Sequence, residues 1–199
     1  MTHAPTFLHR HQPWKRQVAL AAFLGQIALA VGFWTEMVSV PDPSTEWFLG
    51  YLALLAAAAM FIPWIIFRSL GTERVGSYEV MAVSGLVAGW AGTFGLYRAG
   101  LGYDTAVHVF CMALFTFVMM DGISRQHGPH HLPVLAAIGF VLAMLAGVGN
   151  ELFEWAGDRL FGTMMYGEAG QPNDTQIDLV ANVVGFVVGA VAAFHVKRV

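Results

Sequence analysis

The chain has 199 residues, 57% of them hydrophobic and 12% charged, with a formal net charge of −3. A soluble domain has about a quarter of its residues charged, so this composition excludes one. A transmembrane β-barrel is excluded too, because its alternating segments of about ten residues are missing. The single cysteine, Cys111, rules out an intrachain disulfide, and no nucleic-acid partner is expected.

Taken in order, residues 1–16 are polar and cationic, with Arg10, Lys15, Arg16 and the histidines His3, His9 and His11. No small-residue cleavage site follows, so the start reads as uncleaved and not as a signal peptide. Six apolar runs come next, each long enough to cross about 30 Å of hydrocarbon. They cover residues 17–40, 47–67, 78–97, 103–124, 132–155 and 177–196. Pro41-Asp42-Pro43 stops the first, and Pro63 predicts a kink near the end of the second. The third carries Gly85, Gly89, Gly92 and Gly95, a small-residue edge that lets another helix approach. Gly185-x-x-x-Gly189 is a similar edge in the sixth. The expected architecture is all-α, a single polytopic transmembrane bundle of six spans. The glycine-rich faces offer routes to an oligomer.

With six spans both termini share a side. Arg10, Lys15, Arg16, Arg68, Arg74, Arg125, Lys197 and Arg198 fall on that side, and only Arg98 and Arg159 on the other. Positive charge in short loops marks the cytoplasm, so both termini are expected there, with the chain in the inner (cytoplasmic) membrane. Of the acids, only Glu73, Glu79 and Asp121 lie on the basic side. The outer face is therefore strongly acidic and concentrates cations near it.

Counting from the basic ends at about 1.5 Å per residue brings Glu36, Asp104, Glu154 and Asp178 to a similar depth near the outer interface. His108, Glu151 and Asn182 fall about one turn deeper. Asp104 and His108 are spaced i, i+4, Glu151 and Glu154 i, i+3, and Asp174, Asp178 and Asn182 by four. Each spacing stacks its polar groups on one helix face. Carboxylates inside a membrane span are costly and mark function, and so many together need a counter-charge. Arg98, protons or a divalent cation supply one. One imidazole with several carboxylates suits zinc, manganese or iron, and a carboxylate-only subset suits magnesium. The expected metal ligands are His108, Glu151 and Asp178. Asp104 and Glu154 are expected as the catalytic acid–base groups, with Asp174, Asn182 and Arg98 in support. The substrate expected is an outer-leaflet lipid headgroup or a small molecule.

Plainer readings stand beside these. Asp104 and Asp174 sit where helix N-caps are expected, and Trp34, Tyr103 and Trp155 fit an aromatic belt. His127, His130 and His131 read with the N-terminal histidines as solvated loop residues. Asp121-x-x-x-Arg125 lacks the paired aspartates of a phosphotransferase signature. The same acids would also serve an ion- or proton-coupled transporter, or a buried network in an accessory subunit.

Tyr103-Asp104-x-x-x-His108, Glu151-x-x-Glu154-Trp155 and Asp174-Thr175-Gln176-x-Asp178 resemble the YjdF-type family of bacterial inner-membrane proteins. More distantly, their order, ending in Asp178-x-x-x-Asn182-x-x-Gly185, resembles the VanZ-like family associated with glycopeptide resistance. The resemblance covers spans four to six and implies a shared membrane site. VanZ-like chains usually carry Gln where Glu154 stands, and an Arg before the final Asp, where this chain has Pro172-Asn173. Antibiotic resistance is not carried over.

Overall fold

The computed structural model describes residues 13–41, 45–99, 102–128, 132–163 and 173–196. Among these, every regular element is helical. The chain forms α1 (Pro13–Trp34), α2 (Glu46–Ala59), α3 (Ile62–Phe67), α4 (Thr72–Ala91), α5 (Tyr103–His127), α6 (Leu132–Phe161) and α7 (Asp174–Val196). With α2 and α3 taken together, and α4 with the turn that follows it, six helical units are long and apolar enough to cross a membrane. The all-helical six-span architecture expected from the sequence is the one observed.

Local chemistry explains where the helices break. Pro63 has no N–H to offer the Ala59 carbonyl, and its ring crowds that position. The helix accordingly yields between Ala59 and Ile62, where the Phe61 N–H donates to Ala58 O at 3.1 Å instead of one residue further back. α1 stops at Trp34, short of the expected Val40. The Met37 and Val38 N–H groups both donate to Gly32 O, at 2.8 and 3.1 Å, closing a turn that puts Glu36 at φ 57°. α4 begins at Thr72, six residues before the expected start, and ends in a π-turn over Gly92–Leu96 that Gly95 permits by adopting φ 137°. α6 runs on to Phe161, past the expected Trp155, because nothing breaks it before Gly162 at φ 70°.

α5 and α7 pack together most extensively. Gly185 and Gly189 are the reason: a Cβ on Gly185 would come within 2.5 Å of Val109 O, and one on Gly189 would strike Ala113 O. Helices in lipid associate through this kind of close approach, since apolar burial alone gives no drive there. Below that contact Met120, Leu135, Ala190 and Ala193 form a buried cluster, flanked by Phe117 and Phe186. A second cluster, Phe67, Val75 and Tyr78, joins α3 and α4 to α5.

Consecutive spans run in opposite directions, so α5 and α7 lie parallel, and the ends sort by charge. At one end the Asp121 carboxylate, fully buried on α5, accepts from Tyr78 Oη at 2.8 Å, from Arg125 Nε at 2.8 Å and from the Arg74 guanidinium. Lys15 Nζ donates to Ser77 Oγ there at 2.6 Å, tying α1 to α4. The other end gathers the acids. Glu46, one of them, is already engaged: its Oε1 accepts from the Val40 N–H at 3.2 Å and closes the α1–α2 connection.

Candidate functional site

The acidic end is built on the α5–α7 contact. Gly102, left-handed at φ 63°, turns the chain into α5. Asp104 therefore lies in the first turn of that helix, with His108 one turn on. Asp174 opens α7, followed at one-turn intervals by Asp178 and Asn182. The face these three share is the one pressed against α5: Asp174 is buried, and Asp178 and Asn182 are each only 2% exposed.

The imidazole of His108 lies between the two helices. Its Nε2 sits 3.7 Å from Asp104 Oδ1 and 3.8 Å from Asp178 Oδ2, while Nδ1 faces Asn182 Oδ1 at 3.3 Å. An amide oxygen only accepts, so in this orientation the ring donates from Nδ1, and Nε2 faces the two carboxylates, open to a cation as the neutral ring or bearing a second N–H as imidazolium. The two Nε2 separations exceed a hydrogen bond. They match the spacing of donors around one ion, because two atoms each about 2.0–2.2 Å from a metal lie no more than about 4.4 Å apart. Asp104, His108 and Asp178 each offer one ligand atom, and those atoms all lie within 4.8 Å of one another.

Further buried polar atoms surround this trio. One oxygen of Glu151, which is 6% exposed on α6, has no hydrogen-bond partner among the described residues, and the same is true of Asp178 Oδ1 and Asn182 Nδ2. Buried groups of this kind are normally paired. Asp178 has a hydrogen bond with Asp104, and Glu151 with Thr175, so one oxygen of each carboxylate is left over; protons or a cation would neutralise the group.

The residues singled out from the sequence fall into three sets. Asp104, His108 and Asp178 converge, with Asn182 holding the far ring nitrogen and Asp174 buried one turn before Asp178. Glu151 is adjacent, within electrostatic reach of His108, Asp104 and Asp174, but outside the three-atom cluster. Glu154 lies farther toward the mouth, where its Oε1 accepts from Asn150 Nδ2 at 2.8 Å. Glu36 is exposed on the turn after α1 and does not join the cluster. The Arg98 side chain, His3, His9, His11, His130 and His131 lie outside the described residues. Neither Asp104 nor Asp174 is an N-cap, since each lies inside the first turn of its helix.

The site opens into a cavity of about 770 Å³ bounded by α2, α4, α5, α6 and α7. Asp104, His108, Asn150, Glu154, Asp174 and Asn182 form its polar wall. No residue pattern in the chain points to this space. The glycine edge of α4, expected to receive a helix, faces it: Gly85, Gly89 and Gly92 are in its lining. Asn150 was visible four residues before Glu154, a spacing at which an amide and a carboxylate pair on a helix.

Residues 20–198 match the protein family described as Predicted membrane protein (DUF2238), and the chain belongs to that family. Comparison with curated proteins and with solved structures gave no match.

Proposed function

We propose that this integral membrane protein binds a divalent cation through Asp104, His108 and Asp178 at the extracytoplasmic face of the inner membrane. There it acts hydrolytically, or as a transferase, on a lipid headgroup or small molecule. The observation that carries the reading is the placement of His108: Asn182 Oδ1 faces one ring nitrogen, and the other lies between two carboxylates. A cation in that gap relieves all three groups at once. A bound metal polarises a phosphoryl or carbonyl oxygen or lowers the pKa of a bound water. Asn182 fixes the tautomer, as partners of ligating histidines do. Glu151, beside the trio, is available as a further ligand, and Glu154, nearer the mouth, as the base toward an incoming water.

Sidedness rests on the cations. Lys15, Arg16, Arg68, Arg74 and Arg125 all belong to the end opposite the cluster, the end that positive-inside bias assigns to the cytoplasm. A transporter would need a polar route onward from the site. Beyond the cavity the buried Thr116 hydroxyl is followed by the apolar cluster of Met120, Leu135, Ala190 and Ala193, which separates the site from the Asp121 network.

The reading is tested by metal analysis of protein purified without chelator and titrated with Mn(II) and Zn(II). One equivalent is expected in the wild type, with binding lost in Asp178→Asn and His108→Ala while both variants stay monodisperse. Wild-type protein that neither contains a metal nor is stabilised by one would overturn it.

A further inference from the structure

We propose that the cavity beneath the cluster receives the apolar chain of a membrane amphiphile whose polar head sits at Asp104, His108 and Asp178. This deepens the metal-site reading and rests on it for the position of the head.

The first support is the two-toned wall. Polar groups are confined to the upper part, while the deeper lining is Leu52, Ala56, Leu86, Met112 and Phe115. A fully polar ligand gains nothing from the apolar part of this wall, whereas an amphiphile has a part for each.

Dimensions give the second. Along α5 the lining extends from Asp104 to Phe115, and along α2 from Thr45 to Ala56. At about 1.5 Å per residue, each is about 16 Å deep, close to half of a hydrocarbon core of about 30 Å. The pocket thus spans one leaflet. It ends where the Met120–Leu135 cluster closes the bundle. Its volume of about 770 Å³ lies within the range of about 300–1,000 Å³ for ligand sites.

The third is the contrast between the two glycine edges. Gly185 and Gly189 on α7 are pressed against the α5 backbone, but a methyl group placed on Gly89 meets nothing within 4 Å. At Gly85 it would make only ordinary contact, 3.5 Å from Cys111 Sγ. Gly85 thus packs against α5 and Gly92 against the Tyr97 ring, while Gly89, between them, faces open space and keeps it open. An unfilled apolar space forfeits the dispersion contacts of its lining, and in a bilayer the material at hand to fill it is an acyl or prenyl chain. Asn182, almost wholly buried with Nδ2 unpartnered, lines the same cavity and offers a donor to the head.

The test uses the full chain in lipid nanodiscs, incubated with hexadecyl phosphate and Mn(II) and examined by native mass spectrometry, with manganese binding measured separately. The wild type is expected to retain one hexadecyl phosphate. Gly89→Leu, which fills the cavity from α4, and Ala56→Phe, which fills it from α2, are expected to reduce retention at least tenfold while binding Mn(II) as the wild type does. Unchanged retention in both variants, or no retention by the wild type, overturns the chain pocket. If that happens with Mn(II) still bound, the metal reading survives. Retention by the wild type that is lost in both variants, with no manganese bound by any of them, supports the pocket and sinks the metal reading alone.

Discussion

His108 ties the acidic end together because its two nitrogens face different chemistry, an amide oxygen on one side and two carboxylates on the other. Asn182 matters here through the imidazole. Asn182→Leu keeps a similar volume but leaves Nδ1 without its acceptor, so the ring loses its fixed tautomer. Metal affinity is expected to fall by about 10–100-fold, the usual effect of losing such a partner, as read by isothermal titration with Mn(II). An affinity unchanged in this variant would remove Asn182 from the account. The i, i+4 spacings of Asp104–His108 and Asp178–Asn182 made these pairs legible in the sequence, because helical geometry alone puts such residues on one face. Which acid completes the trio was not legible. Of the acids, Asp104 and Asp178 have an oxygen within the group around His108, and Glu151, expected beside it, lies just outside. The choice depends on how far α6 is rotated about its own axis, and packing decides that, not spacing.

At the scale of the helices, the two ends are held by different means. The acidic end relies on glycine contacts between α5 and α7. The basic end relies on Asp121, where three donors from α4 and α5 meet one buried carboxylate. Asp121→Ala leaves the Tyr78 hydroxyl and two guanidinium groups without their acceptor. The expected loss is about 3 kcal/mol, the lower end of the range for broken buried charge pairs, since Arg74 and Arg125 are partly exposed. Thermal unfolding in nanodiscs reads this as a lowered midpoint, and manganese binding in the folded protein is expected to be unchanged. Loss of metal with no loss of stability would contradict a purely structural role. In the sequence, Asp121 and Arg125 could be paired, but Arg74 and Tyr78 could not be joined to them, because that contact spans the α4–α5 packing. Likewise the glycine edges of α4 and α7 look alike as strings. Only the packing shows that one touches a backbone and the other lines a cavity.

Across the whole molecule, charge and apolar length organise the chain. Six helical units long enough to cross a membrane alternate in direction along the chain, gathering most of the described acids at one end and most of the described cations at the other. That much was legible, because hydrophobic length and charge bias are properties of composition. The cavity was not, since a void belongs to no residue. Its apolar depth and polar mouth join the two proposals into one picture, a cation at the membrane surface above a pocket one leaflet deep. The central claim is the cation, and anomalous X-ray scattering from crystals grown with Mn(II) tests it most directly. One strong peak is expected between His108 Nε2 and the carboxylates of Asp104 and Asp178, at about 2.0–2.3 Å from each donor. A map with no peak there, or with manganese only on exposed acids such as Glu36, would contradict it.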